Sequence, residues 1–138
     1  MGIEDIFREF SFGVKDNIRE KLLKMLKTEI DRSKRTIGAI IVTDEGLPIA
    51  YYPNDLFSDK SGFSPSLAII ENTVEKSIKE LLDGDLDYIT IATNNHILII
   101  KNAGNGYIVS LISQKGVPMN VLYRKILRII KRIEEIMK

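Results

Sequence analysis

Cysteine and tryptophan are absent from this chain of 138 residues, and histidine occurs once, at His96. The lack of cysteine excludes disulfides, thiolate metal sites and a cysteine nucleophile. A lone histidine at a predicted hairpin tip leaves a metal site or a Ser-His-Asp triad without partners, so we expect a turn residue there. No apolar run approaches the ~20 residues of a membrane span, and the N-terminus lacks the features of a signal peptide. We therefore expect a cytoplasmic protein that is not an enzyme.

An excess of charge of either sign is also missing. The chain carries 20 Lys and Arg against 19 Asp and Glu, a net charge of +1. That balance argues against a dedicated nucleic-acid binder, whose affinity rests on many cationic contacts to phosphate. Asp83, Asp85 and Asp87 resemble part of a calcium loop, but position 94 is Asn where such a loop needs Glu. Capping of a helix is the simpler interpretation of these aspartates.

Apolar residues recur at intervals of three and four in four segments, the period of an amphipathic helix. The first lies in residues 1–12, within an N-terminal extension that comprises residues 1–15. The second runs over residues 16–34. The third begins at Ser64-Pro65, typical of a helix N-cap and N1, and ends at Asp83-Gly84. The fourth follows Pro118. The apolar stripes of the last two are Leu67, Ile70, Val74, Ile78 and Leu81, and Val121, Leu122, Ile126, Ile129, Ile130, Ile133 and Ile136.

Five short segments are typical of strands. "TIGAIIVT" and "LPIAYY" flank the turn residues Asp44-Glu45-Gly46, which predicts a hairpin. Pro48 cannot donate to a strand ladder, so the second strand should lie at a sheet edge, and "PNDLFSDKSG" after it should be a loop. "DYITIAT", "HILIIKN" and "YIVSLIS" are joined by Asn-rich and Asn-Gly turns. The expected fold is α+β: a five-stranded antiparallel sheet covered by helices on both faces, an α-β-α sandwich over residues 16–138.

This element order, together with "GAIIVTDEGLPIA", resembles the roadblock/dynein light chain family over roughly residues 17–137. The family shares a Gly-Ala-hydrophobic strand, an acidic-Gly turn and a Leu-x-Ile-Ala-like return strand, and a Gly-containing loop before its last helix. Residues 1–15 are extra, and the third helical segment lacks the Ala-rich run of many members. The matching residues are Gly38, Ala39, Asp44, Gly46, Leu47, Ile49, Ala50 and Gly116.

The resemblance implies a roadblock/profilin-like domain that forms a homodimer, or a heterodimer with a paralogous roadblock-like protein. Such dimers pair their third strand and the long helix before it. They act as scaffolds for protein–protein interaction, as motor adaptors or as regulators of small Ras-like GTPases, in some members by stimulating GTP hydrolysis, and they bind no cofactor.

The residues themselves point to the same edge. "DYITIAT" carries no Pro, Lys or Arg, the usual protection of an exposed edge; the alternative is that another segment of the chain covers it. The polar side of the preceding helix is either solvated or, in a dimer, offered to a GTPase. The expected dimer-interface residues are Tyr88, Ile89, Thr90, Ile91, Ala92, Thr93, Ile70 and Val74, and the expected partner-binding residues are Glu71, Asn72, Glu75 and Lys79.

Two other functions stay open from the residues alone. A profilin-like or PAS-like small-ligand sensor would also place helices on a five-stranded antiparallel sheet, but it needs a cavity. The basic side of the last helix could lie on a membrane, although its apolar stripe is needed to cover the sheet. We therefore expect a covering helix without membrane association. That basic side consists of Arg124, Lys125, Arg128, Lys131 and Arg132.

Overall fold

A computed structural model describes residues 16–138, so the helix predicted within residues 1–12 lies outside the described residues. The observed order of helix, hairpin, helix, three-stranded meander and helix agrees with the prediction. One short helix, Asn54–Phe57, occupies part of the segment that we expected to be a loop. The elements are α1 (Asp16–Asp31), β1 (Thr36–Thr43), β2 (Pro48–Tyr52), α2 (Asn54–Phe57), α3 (Phe63–Leu81), β3 (Ile89–Ala92), β4 (His96–Gly104), β5 (Tyr107–Gln114) and α4 (Met119–Met137).

The five strands form one sheet in the order β2-β1-β5-β4-β3, and every neighbouring pair is antiparallel. This confirms the predicted fold class. The strand that contains Pro48 is one edge, as expected of a residue without a backbone N–H. β3 is the opposite edge. β1 lies inside the sheet between β2 and β5, and its residues Ala39 to Val42 are fully buried.

Two hydrophobic cores lie on the two faces of the sheet. Because successive strand residues point to opposite faces, Ala39 and Ile41 enter the core under α1 and α4. Ile40 and Val42 enter the core under α2 and α3. The first core is the larger, since two long helices contribute to it, whereas the second has one long helix.

The helices α1 and α4 cover the sheet much as their apolar stripes predict. Leu122, Ile126, Ile129, Ile130 and Ile133 of α4 are buried. The expectation for Val121 is wrong: its side chain is 48% exposed, because it lies one position before the buried stripe begins at Leu122.

The structure corrects several expectations for α3. The helix begins at Phe63 after Gly62, and neither Ser64 nor any other side chain caps it. It ends at Leu81, before Asp83-Gly84. Its buried residues are Ser64, Leu67, Ala68 and Glu71, all in the first half of the helix. The apolar residues of the second half, which share the predicted stripe, therefore do not reach the core.

The β1–β2 hairpin supports the beginning of α3. Gly46 donates a backbone hydrogen bond to the Thr43 carbonyl at 2.9 Å and has a φ of +90°, a conformation that favours glycine. A Cβ atom at this position would lie 2.7 Å from the Cα of Pro65 in the first turn of α3. The turn predicted from Asp44-Glu45-Gly46 is therefore confirmed, and it also fixes the position of α3.

Candidate protein interface

β3 is hydrogen-bonded along only one side within residues 16–138. Its four residues pair with β4 from Ile89↔Ile100 to Ala92↔Ile97, and no described segment pairs with the other side. The strand is shorter than predicted, since Tyr88 and Thr93 lie just outside it. Both remain on the surface, and Tyr88 and Ile91 are 36% and 37% exposed. Within residues 16–138, this edge of the sheet is therefore unpaired.

The second half of α3 lies beside this edge and presents apolar side chains to solvent. Leu81 is 77% exposed and Leu82, directly after the helix, is 57% exposed. The predicted interface residues Ile70 and Val74 are partly exposed. We call the apolar side chains that continue from α3 to β3 the α3–β3 surface. It consists of Ile70, Val74, Ile78, Leu81, Leu82, Ile89 and Ile91, whereas Tyr88 lies on the opposite face of the sheet against Tyr123 of α4.

Glu71 does not lie where its predicted role requires. Its side chain is only 2% exposed, because Glu71 follows Leu67 by one helical turn and faces the sheet. Its Oε1 accepts a hydrogen bond from the Asn102 side-chain amide on β4 at 3.4 Å, and its buried Oε2 has no partner among the described residues. Burial is the main cause that raises the pKa of Glu71, and the nearby Glu75 carboxylate adds to it. Glu71 therefore cannot present its carboxylate to a protein partner and instead connects α3 to β4.

The other three predicted partner-binding residues reach solvent. Asn72 donates its side-chain amide to the backbone carbonyl of Asp44 at 3.2 Å, which ties α3 to the β1–β2 turn. Glu75 and Lys79 form an ion pair of 3.1 Å on the helix surface. Exposed ion pairs of this kind contribute little to stability, so Glu75 and Lys79 can exchange this pair for contacts with a partner.

The segment that leads into β3 is held in place by a polar cluster. Asp87 accepts hydrogen bonds from Lys101 Nζ at 2.7 Å and from the Tyr123 hydroxyl at 2.8 Å. The Lys101 hydrogen bond, followed by that of Tyr123, lowers the pKa of Asp87. The rings of Tyr88 and Tyr123 lie 5.1 Å apart, within the usual range for aromatic pairs. These contacts keep the β3 edge extended and accessible.

Other candidate sites find less support in residues 16–138. His96 is exposed at the start of β4, where its backbone N–H donates to Thr93 Oγ1 at 3.0 Å. In this part of the chain no cluster of three His, Asp or Glu side chains could hold a metal ion. Two clefts formed by the described residues are open grooves, one between α1 and α4 and a smaller one beside the β4–β5 turn. No helix in the described part of the chain combines the length and hydropathy needed to cross a bilayer.

Sequence reasoning missed the most exposed members of the α3–β3 surface. The apolar stripe predicted for this helix ends at Leu81 and does not include Leu82. Both follow the last helical turn that contacts the sheet, and Asp83-Gly84 follows directly. Two adjacent leucines directly before an acidic turn indicate that the apolar stripe of α3 continues past the part of the helix that covers the sheet.

Comparison with known proteins agrees with the fold. A roadblock/LC7 domain from Streptomyces avermitilis superposes with a TM-score of 0.73 at 14% identity, covering 83% of this chain and 96% of that domain. MglB from Myxococcus xanthus gives a TM-score of 0.76 at 10% identity, covering 89% and 91% of the two chains. The gliding protein MglB from Thermus thermophilus gives 0.72 at 13% identity, covering 89% and 93%. A search of curated protein sequences returns no significant match.

The sequence also matches the family model of the Roadblock/LC7 domain over residues 22–113, from α1 to the end of β5. This range contains the hairpin, α3 and the complete sheet, so the match and the superpositions concern the same elements. The chain therefore belongs to the Roadblock/LC7 domain family.

Proposed function

We propose that this protein is a dimeric adaptor or regulator of a small Ras-like GTPase. In the dimer, two β3 strands pair edge to edge and two α3 helices pack side by side. The observation that carries the proposal is the unpaired β3 edge next to the exposed α3–β3 surface. Membership in the Roadblock/LC7 family supports it, since the resemblance described above implies this mode of association.

The edge geometry favours pairing with an identical strand. Ile89 to Ala92 contain no charge, proline or bulge that would block another strand. Two copies related by a two-fold axis perpendicular to the sheet would continue it as an antiparallel ladder, and such an isologous contact closes on itself. β2 is less suited, because Pro48 lacks the N–H that a new ladder would need.

The apolar side chains favour burial of the same surface. Large contiguous apolar patches on a soluble protein usually mark an interaction site. Removing such surface from water stabilises association by roughly 25 cal/mol per Å² before the entropic costs of binding. Ile91 lies on the same side of the sheet as Ile89, which packs into the α3 core. A second α3 helix could therefore cover Ile91, Leu81 and Leu82 in one contact.

For the GTPase contact we propose the outward side of the paired α3 helices, with Asn72, Glu75 and Lys79 as contact residues. Their polar groups reach solvent next to the apolar surface, an arrangement typical of an interface rim. Glu71 is left out because its carboxylate is buried. The remaining members of the dimer interface are Tyr88, Thr90, Ala92 and Thr93, which flank or belong to the pairing strand.

The dimer is tested by size-exclusion chromatography with light scattering. We expect a mass near twice the 15.7 kDa of the chain at micromolar concentration. Ile91→Lys and Thr90→Pro should shift the mass toward the monomer, because one buries a charge and the other removes a ladder donor. Leu127→Lys is the matched control: its side chain is 40% exposed, against 37% for Ile91, but lies on α4. A monomeric wild type, or equal effects of Ile91→Lys and Leu127→Lys, would refute the strand pairing.

The GTPase contact is tested separately. Purification of the tagged protein from its own cells, followed by mass spectrometry, should recover a Ras-like GTPase. Lys79→Glu should lose this GTPase while remaining dimeric, whereas Arg124→Glu, an equal charge change on α4, should retain it. A dimer that recovers no GTPase would overturn the regulator proposal and leave the dimer intact.

A further inference from the structure

The charges of this nearly neutral chain are separated in space. The layer formed by residues 16–35 and 119–138, which includes α1 and α4, carries 13 Lys and Arg against 6 Asp and Glu. Residues 36–118, which form the sheet and α3, carry 5 against 10. The net charge of +1 therefore conceals a cationic layer on one side of the sheet and an anionic remainder. A local excess of this size creates a field that attracts an anionic partner.

Within the cationic layer, five basic side chains converge on a groove between α1 and α4. The two helices run antiparallel, since Lys21 shares one end of the groove with Ile136 and Glu29 contacts Arg128 farther along. The groove has a volume of about 570 Å³ and an apolar floor that includes Met25 and Ile136. We call it the α1–α4 groove; its basic residues are Lys21, Lys24, Arg32, Arg128 and Arg132.

Among residues 16–138, Glu29 is the one acidic residue that lines this groove, and it pairs with two of the three arginines. Glu29 is 4% exposed and binds Arg128 Nε at 2.9 Å and Arg32 Nη1 at 3.7 Å. A buried carboxylate between two guanidinium groups fixes their position while leaving other N–H donors of each free to face the groove. Lys21 and Lys24 form no ion pair with any described residue. Arg132 pairs with the exposed Glu135 at 3.8 Å, so the five basic side chains meet two carboxylates and the groove keeps a net positive charge.

The shape and lining select one kind of anionic partner. The cationic side chains are exposed, with Arg32, Arg128 and Arg132 at 56%, 44% and 53%, so no enclosed cage exists for a single phosphate or a metabolite. A bilayer surface is flat and would contact the outer helix surfaces rather than the groove. A nucleic-acid strand would gain little from the apolar floor and would be repelled by the anionic remainder of the chain. A helical peptide with acidic and apolar positions matches both the floor and the walls.

We propose that the α1–α4 groove binds an acidic, amphipathic segment of a partner protein. Apolar side chains of the segment would rest on Met25 and Ile136. Its carboxylates would pair with the arginines, whose planar guanidinium groups suit carboxylate geometry, and with the two lysines. This site lies on the opposite side of the sheet from α3, so the inference does not depend on the proposed GTPase contact.

The probe is a fluorescein-labelled peptide of about five helical turns in which Glu and Leu alternate at helical spacing. Fluorescence anisotropy should show saturable binding that weakens at higher salt, because the contacts are exposed ion pairs. The same peptide with Gln in place of Glu should not bind. Lys24→Glu combined with Arg132→Glu should weaken binding by about tenfold or more, since each change replaces attraction with repulsion.

The matched control is Arg124→Glu combined with Lys131→Glu. It makes the same charge change on exposed residues of α4 that do not line the groove, and it should change the affinity by no more than about twofold. Circular dichroism should show both double variants to be folded. Light scattering should show that both double variants have the same oligomer mass as the wild type.

Several results would overturn the proposal. Equal weakening by the two double variants would mean that only net charge is sensed, and the absence of saturable binding would remove the site. Tighter binding of phosphatidylserine vesicles or of a single-stranded oligonucleotide, lost in the groove variant, would assign the groove to lipid or nucleic acid. A lower mass of the groove variant would assign it to a second copy of this chain.

Discussion

Replacing Gly46 with alanine should destabilise the protein through two separable effects. The φ of Gly46 is +90°, and a residue with a Cβ pays about 1–2 kcal/mol for such a left-handed conformation. The new Cβ would also lie 2.7 Å from Pro65 Cα and 3.3 Å from Ser64 O, both backbone atoms of the first turn of α3. Backbone that must move to relieve overpacking typically costs a further 1–3 kcal/mol, on the order of 2 kcal/mol here. We expect a total loss of about 3 kcal/mol.

Gly84 provides the matched control. Its φ of +96° is nearly the same, but no atom of residues 16–138 lies within 4 Å of the position that a Cβ would take there, so Gly84→Ala carries the conformational cost alone. Urea denaturation should therefore give losses of about 3 kcal/mol for Gly46→Ala and about 1 kcal/mol for Gly84→Ala. Hydrogen exchange should show faster exchange in the first two turns of α3 for Gly46→Ala only. Losses that agree within about 0.5 kcal/mol would refute the contact between the hairpin and α3.

Two further predictions concern buried ionisable groups. Burial raises the pKa of Glu71 above 4.5, so its ionisation destabilises the fold progressively as pH rises from that value through the folded-state pKa. Glu71→Gln, which does not titrate, should therefore gain stability relative to wild type as pH rises from 4.5 toward neutrality, by about 1 kcal/mol in urea denaturation; a constant difference would contradict this. Burial lowers the pKa of Lys125, which is 6% exposed and donates to Thr36 Oγ1 at 3.2 Å, so wild-type stability should rise as pH approaches 10.5. Lys125→Met should be more stable than wild type at pH 7 by about 1 kcal/mol, with a smaller advantage at high pH, and a less stable variant at both pH values would contradict the reasoning.

The sheet was predictable because its signals are local. A proline in a return strand and turn residues between apolar segments depend only on neighbours in sequence, and they were enough to predict the β2 edge and the antiparallel pairs. The family resemblance rests on the same hairpin. Gly46 illustrates the limit: its turn conformation was predictable, but its contact with Pro65 joins residues that only the folded chain brings together.

The error in α3 has a different cause. Helical periodicity identifies an apolar stripe but does not say what covers it. In α3 the sheet covers Leu67 and Ala68, whereas Val74 and Leu81 continue the apolar pattern past the region of contact. Glu71, predicted to contact a partner, follows Leu67 by four residues and therefore faces the sheet. One helix can therefore carry an apolar stripe of which only the first half covers the core of its own chain.

The cationic layer of α1 and α4 and the helix α3 lie on opposite sides of the sheet. If two β3 strands pair in antiparallel fashion, the two-fold axis must run perpendicular to the sheet, since an axis along the strands would make them parallel. Both protomers then keep the same face on the same side. The two α1–α4 grooves lie on one side of the continuous sheet, and the two α3 helices lie on the other. A partner at α3 and an acidic segment in the groove would thus be separated by the sheet and could bind at the same time. Variants of Lys24 should therefore change only the binding of the acidic segment, and variants of Lys79 only the binding at α3. The reason is that the sheet lies between the two sites.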